Sequence, residues 1–317
     1  MTTRRRSRLG LGALMLAIPC GAAALAAGQA LAAPSPGPLH ITSRSIRVPY
    51  GDQVIVRGTA PASDAGHTIV LQFAPRGQSA WRQLSSSTIA GGGQFRLAGA
   101  LTESGAVRAL DASSGSLTPF VARAGSGGAG PASTPVPVEV SARVRVPVRQ
   151  ISLLGGEAVW VRGRLLPAQA GRRVSLQGRQ AGSWQTLATA RTGSAGRFVL
   201  RYVATSAGQE RVRVRFAGDR LNGPSNAAAG QITVYRQAGA SWYYDGGNTA
   251  CGFHAYYGVA NRTLPCGTTV TFRFGGRSVT ATVDDRGPFV AGRDWDLNQN
   301  TAGALSFGGV ATVWSSQ

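Results

Sequence analysis

The stretch "ATVDDRGPFVAGRDWDL", Ala281 to Leu297, holds four aspartates and two arginines in a chain of 317 residues that has 13 acidic residues in all. A chain with 33 basic residues thus gathers carboxylates around one Gly287-Pro288 turn. The run before them, "RSVTATV", alternates as a half-buried strand does, so Asp284 and Asp285 are expected on opposite faces rather than as a paired dyad. Asp294 lies two residues before Asp296 and is expected on its face. A carboxylate beside Arg286 and a Gly-Pro turn also has a bland reading, as a turn cap paired with the arginine.

Outward from this stretch the composition stays distinctive. After "VYRQAG" the aromatics concentrate, as Trp242, Tyr243, Tyr244, Phe253, Tyr256, Tyr257, Phe289 and Trp295. "GTTVTFRF" and "GVATVW" add further strand signals. "NTAGALSFG" is the best short-helix candidate, with Asn298 or Asn300 as its N-cap.

Together, "ASWYYDGGNTACG" and "RTLPCGTTVTFRFGGRSVTATVDDRGPFVAGRDWDLNQNTAGALSFGGVATVW" resemble the RlpA (rare lipoprotein A)-like family, and more distantly the expansins. "TLPCGT", "DRGPF" and "DLN" stand in the family's order. The resemblance covers Ala240–Trp314. It implies a six-stranded double-psi β-barrel with an open groove for glycan strands and, in active members, lytic transglycosylase action on peptidoglycan. That reaction needs a carboxylic acid to protonate the leaving oxygen. No water attacks, because a sugar hydroxyl closes on the anomeric carbon, so one carboxyl can serve as acid and then as base. The resemblance assigns the groove-facing role to Asp285, and Asp296 matches the aspartate that related barrels carry on the groove. Trp242, Tyr243, Tyr244 and Trp295 are candidates for stacking on sugars, with Asn261 and Arg286 as polar contacts. Active members carry a glutamate after the "TACG"-like segment and a histidine before "TLP". Phe253 and Asn261 stand at those places here, and the loop between them is shorter. These departures weigh for glycan binding over cleavage.

The rest of the chain repeats itself. "QVIVRG" (Gln53–Gly58) recurs as "AVWVRG" (Ala158–Gly163) at an offset of 105. Trp81 and Phe95 recur as Trp184 and Phe198, both at an offset of 103. A duplicated domain follows. "ERVRVRF" alternates Val212, Val214 and Phe216 with arginines, and Gly-rich turns separate such strands, as in an immunoglobulin-like β-sandwich. The expected architecture is therefore all-β: two tandem immunoglobulin-like β-sandwiches, over 39–143 and 144–236, then the barrel over 240–317. "RQAG" reads as the short connection into the barrel, and "RAGSGGAGPASTP" as a loop before the last strand of the first copy. In the copies no metal-ligand or catalytic cluster is expected. His67 reads as a solitary turn residue, and the recurring Trp81 and Trp184 read as core.

The N-terminus reads as an address. A basic start, the apolar run "LGALMLAIPCGAAALAAG" and small residues at Ala30 and Ala32 form a signal peptide over 1–32. Sec-type export fits better than the twin-arginine route, and Pro19 interrupts the run as a membrane anchor. No membrane span is expected after cleavage, and the protein is expected to be secreted or held at the cell envelope. Cys251 and Cys266 remain as one expected disulfide.

Lysine is absent, and the formal net charge is +20. The arginines read as scattered along strands, so nucleic acid is not an expected partner. Peptidoglycan or another anionic wall polymer is, and neither a cofactor nor a metal is expected. The sequence is silent on oligomeric state. Three functions stand at this point: a lytic transglycosylase with a degenerate site, a non-catalytic expansin-like glycan binder, and a structural adhesin capped by the barrel.

Overall fold

The computed structural model describes residues 39–113 and 131–317. The signal segment 1–32 and most of the "RAGSGGAGPASTP" loop lie outside the described residues. What is described is all-β, with one α-helix of 7 residues, α1 (Gln299–Leu305). No described helix is long and apolar enough to cross a membrane.

The first copy contributes β1 (His40–Ile41), β2 (Ile46–Pro49), β3 (Gln53–Thr59), β4 (Thr68–Pro75), β5 (Arg82–Thr88), β6 (Gln94–Ala100), β7 (Gly105–Asp111) and β8 (Val136–Ser141). They form two sheets, ordered β1–β3–β6 and β2–β8–β7–β4–β5. In β3 every second residue is buried, so Val54 and Val56 enter a core shared with Phe95, Leu71, Phe73 and Val138.

The second copy contributes β9 (Arg143–Arg145), β10 (Arg149–Leu154), β11 (Ala158–Leu166), β12 (Arg173–Gln180), β13 (Ser183–Arg191), β14 (Arg197–Val203), β15 (Gly208–Phe216) and β16 (Ser225–Tyr243). One sheet is β14–β11–β9, and the other runs β13–β12–β15–β16 with β10 parallel to β16. Val159, Val161, Phe198, Leu200, Val212, Val214 and Phe216 fill the core between them. Gly58 and Gly163 occupy the same place in the two copies. A Cβ on Gly58 would collide with the Phe95 ring and the His40 carbonyl, and one on Gly163 with the Phe198 ring. Only glycine lets that phenylalanine cross the strand.

The C-terminal part adds β17 (Gly258–Ala260), β18 (Thr269–Phe274), β19 (Arg277–Asp285), β20 (Trp295–Asn298) and β21 (Ala311–Ser315). Their ladder runs β16–β20–β17–β19–β18–β21 and returns to β16, which leaves no free edge. Trp295, Phe272, Leu297, Val259 and Val283 lie inside the ring. Asn298 caps α1 by accepting from Thr301 N at 2.9 Å.

Four readings of the sequence change. "RQAG" (Arg236–Gly239) is no connection, because it lies in the middle of the 19-residue β16. That strand belongs first to the second copy's sheet and then to the ring, so the two share a ladder. Trp81 and Trp184 are not core. Each lies half-buried on an outer face beneath an arginine, Arg108 at 4.3 Å and Arg213 at 4.0 Å, a cation–π contact. His67 is not solitary, because the pairing of β4 with β7 brings Asp111 to its Nδ1 at 2.9 Å. Asp64 joins them, so the expectation of no potential ligand cluster in the copies also fails. The arginines lie along the strands as expected but are unevenly divided: the second copy, 144–236, carries fifteen against three acidic residues, whereas residues 237–317 carry five of each.

Candidate functional site

β19 delivers two adjacent carboxylates to different environments. Asp284 is fully buried. It accepts the backbone N–H groups of Ala255 at 2.9 Å and Val259 at 3.1 Å, which fastens the preceding loop to the barrel. Gly258 is required there, since a Cβ would strike this carboxylate. Burial pushes the Asp284 carboxyl above its usual range, and nearby Asp245 adds to this, while the backbone donors oppose it.

Asp285 emerges on the outer face for a reason that alternation does not provide. Val279, Ala281 and Val283 point into the core, and strict alternation would send Asp285 after them. Between Val259 and Ala260, however, the register of β17 against β19 shifts, and Asp285 pairs with Ala260. Such an irregularity re-aims a side chain. On the other side of β17, Ala260 also pairs with Asp296. Residues in register share a face, so Asp285 and Asp296 flank a small alanine from strands about two strand spacings apart, on the order of 10 Å. Asp285 accepts from Ala250 N at 2.9 Å and from its neighbour Arg286 N at 2.8 Å.

Asp296 extends this row to β16, where Ser241 Oγ donates to it at 2.8 Å. Burial raises the Asp296 carboxyl pKa; the Ser241 bond and Arg293 oppose the shift, and Asp285 adds to it. Two residues along β16 stands Tyr243. Its phenol oxygen is buried and has no hydrogen-bond partner among the described residues. Burial, then Asp284, Asp285, Asp245 and Asp296, push its pKa upward, so the phenol keeps its proton. A donor without an acceptor beside a row of carboxyls suits a polar ligand.

Asp294, expected to share the face of Asp296, instead turns to the start of the ring. It accepts from Gly239 N at 3.1 Å and pairs with Arg236 at 3.4 Å.

The other expected contact residues divide. Tyr244 is 80% exposed and meets the half-buried Trp242 edge-on, with ring centroids 4.9 Å apart. Trp295 is 0% exposed and packs edge-on against Phe272 in the core, so it offers no sugar platform. Its neighbour Asp296 takes the outward position because the two alternate on β20. Asn261 is buried as well. It accepts from Thr263 N and Leu264 N and donates to the Asp294 carbonyl, which makes it a loop anchor rather than a ligand contact. The Arg286 guanidinium is likewise turned to the loop, donating to the carbonyls of Asn261 and Leu264 and to Cys266 Sγ. Cys251 and Cys266 are bonded, with Cα atoms 5.7 Å apart.

Phe289, at 82% exposed, and Tyr256, at 69%, are exposed rings that were not among the expected contacts. The signal for Phe289 is its place in "DRGPF", directly after the turn that follows Asp285. For Tyr256 no signal beyond aromatic richness exists in the sequence.

Residues 235–313 match the family model described as lytic transglycolase. Over that segment the chain is similar to the double-psi β-barrels of the RlpA and expansin type. The match begins at Tyr235, within β16, rather than at Ala240. No curated protein matches the chain. At the two places where the sequence resemblance implies a glutamate and a histidine, the chain holds Phe253, which is exposed, and Asn261, which is spent on the loop. His254, beside the first place, pairs with Asp245 at 2.6 Å.

Proposed function

We propose that the chain is an exported, envelope-associated protein whose barrel binds the glycan strands of peptidoglycan. On this reading the two upstream copies are immunoglobulin-like sandwiches that hold the barrel away from its point of attachment. The observation that carries the proposal is the pair of partly exposed carboxyls, Asp296 and Asp285, set either side of the buried Ala260 in one cross-strand row, with the Tyr243 phenol near them and exposed rings on the segments around them. Sugars offer hydroxyls to such carboxyls and apolar faces to such rings. The absence of the relatives' glutamate and histidine favours binding without cleavage, as in an expansin-like wall loosener.

A second reading is favoured by one observation, the raised Asp296 carboxyl. A carboxyl whose pKa is raised binds its proton more tightly than a free one, and so is better matched to protonating a glycosidic oxygen. Asp285 across Ala260 would then face the positive charge that develops on the sugar ring. The proton returns to Asp296 when it accepts one from the sugar hydroxyl that closes on the anomeric carbon.

Incubation of the purified protein with insoluble peptidoglycan separates the readings. Retention on the pellet, weakened about two- to tenfold by Tyr244→Ala or Phe289→Ala, is expected from the loss of one stacking contact. Retention unaffected by both changes would remove the barrel face from the account. Anhydro-sugar ends in the soluble fraction, detected by mass analysis and lost in Asp296→Asn, would establish the cleaving reading; their absence from the wild type would leave binding alone.

A further inference from the structure

The two upstream copies share a feature that their common core does not require. In the first, Arg108 donates from Nε to Gln72 Oε1 at 2.9 Å, and its guanidinium lies 4.3 Å from the Trp81 ring centre. In the second, Arg213 donates from Nε to Gln177 Oε1 at 2.9 Å, and its guanidinium lies 4.0 Å from the Trp184 ring centre. The glutamine and the arginine are cross-strand partners in both copies, on β4 with β7 and on β12 with β15.

A repeated β-bulge builds each constellation. β4 slips against β5 between Leu71 and Gln72, and β12 slips against β13 between Leu176 and Gln177. The residue passed over is Leu84 in one copy and Leu187 in the other, and each packs against the core of its copy. Beyond the slip, Gln83 stands in register with Gln72, and Thr186 with Gln177. Trp81 and Trp184 lie two residues before these, so they share the outward face of the glutamine. Alternation carried unbroken from Ser85 and Ala188 would turn both rings into the core instead.

The neighbouring outward positions differ between the copies. Val70 opposite Leu110 becomes Ser175 opposite Arg215, and Ala74 and Ala106 become Arg179 and Arg211. A general covering of the sheet does not need the same bulge and the same three side chains in both.

What each constellation leaves free is specific. The guanidinium is oriented by its Nε bond and by the indole. Its terminal edge, Nη1 and Nη2, has no hydrogen bond and no carboxylate among the described residues. The glutamine is oriented by the bond at Oε1, and its amide N–H groups also lack a partner there. Burial pushes the pKa of both guanidinium groups down, and Arg215 and Arg179 add to this at Arg213. Each charge is therefore held at a cost, with no anion beside it.

We propose that Gln72–Arg108–Trp81 and Gln177–Arg213–Trp184 are two equivalent binding sites for the carboxy-terminal end of a peptide. The terminal edge of a guanidinium matches the two oxygens of a planar carboxylate. One charge and one two-point edge suit a monoanion, whereas a phosphate dianion would keep an oxygen without a donor. The glutamine amide is placed to donate to the carbonyl of the last peptide bond, and the uncovered part of the indole receives a small apolar last side chain. Both sites are separate from the barrel groove and do not depend on what the barrel binds.

The test follows the indole N–H resonances of the full chain, which has six tryptophans, while acetyl-alanyl-alanine is added. Trp81→Phe and Trp184→Phe assign the two signals. Both are expected to shift and to saturate. Trp160 is the internal control, because Arg201 lies 5.6 Å from its ring centre but has no glutamine partner, and its signal should stay in place. The dipeptide amide, which lacks the carboxylate, should bind at least about tenfold more weakly at both sites. Arg108→Lys keeps the charge and the apolar stem but removes the fork. It should abolish the Trp81 response and leave that of Trp184, and Arg213→Lys should do the reverse. A brace with no binding role gives no response in the wild type, and that result would overturn the proposal. So would a response at one site only, an equal response at Trp160, or equal binding of acid and amide. Tighter binding of inorganic phosphate, or of acetyl-aspartyl amide with its carboxylate on a side chain, would overturn it as well.

Discussion

At the scale of single residues, Asp284, Asp285 and Asp296 are alike in chemistry and unlike in circumstance. Asp284 is spent on the backbone of the loop that it fastens, Asp285 is brought to the outer face by a register shift, and Asp296 is held partly out of water beside Ser241. The raised Asp296 carboxyl has a consequence for stability. The folded chain retains a proton that the unfolded chain has released, so stability declines as pH rises from the ordinary carboxylate pKa, about 3.9, toward the raised value. Asp296→Asn removes that decline and keeps an acceptor for Ser241. Its melting temperature is therefore expected to exceed the wild-type value near neutral pH, with the difference vanishing in acid below the ordinary carboxylate range. A constant difference across the pH range, or a lower melting temperature at neutral pH, would contradict the burial argument.

At the scale of elements, the loop between β16 and β18 is held by several independent fastenings. The disulfide closes a segment with a sequence separation of 15. Asp284 and Asp285 accept from its backbone, Arg286 donates to its carbonyls, and Asn298 donates to Ala255 O and Tyr256 O at 3.2 Å. Exposed rings on this loop, Phe253 and Tyr256 among them, owe their positions to those fastenings. The Cys251→Ala, Cys266→Ala double variant is expected to lose about 3 kcal/mol in chemical denaturation, from the loop-closure entropy restored to the unfolded chain. Because the carboxylate fastenings persist, the barrel should still fold. A loss well under about 1 kcal/mol would mean that the unfolded chain keeps the loop closed without the bond.

At the scale of the whole molecule, the decisive element is β16. It pairs with β15 and β10 in the second copy, then with β20 and β21 in the barrel. Across the junction, Gln209 donates to Thr271 at 2.7 Å, Tyr235 meets Trp314, and Arg273 lies over both rings. A fragment that begins at Gln237 keeps the β20 pairing but forfeits Arg236 with its partners Ser315 and Asp294, as well as the contacts of Tyr235. The barrel in that fragment is expected to unfold at a lower temperature than in the full chain, as followed by near-ultraviolet dichroism. Equal midpoints would show that the shared strand contributes nothing to the barrel.

The duplication, the all-β class and the barrel's own motifs were legible in the sequence, because they rest on local signals: alternation of period two, turn residues, and short motifs such as "DRGPF". The same local order placed the N-cap of α1 at one of two asparagines and brought the two cysteines into one domain. What the sequence did not disclose depends on partners remote in the chain. Alternation reports which residues share a strand face, but not where the register slips against the neighbouring strand, and that slip brings Asp285 out beside Asp296. It does not report which face a closed ring encloses, so Trp295 read as a platform and is core. Nor does it report which residue a bulge passes over, and the slips at Leu84 and Leu187 turn Trp81 and Trp184 out toward their arginines. The local pattern follows from side-chain sterics and solvation along one strand. The carboxyl pair and the tryptophan–arginine sites follow from register and closure, which are properties of the assembled sheets.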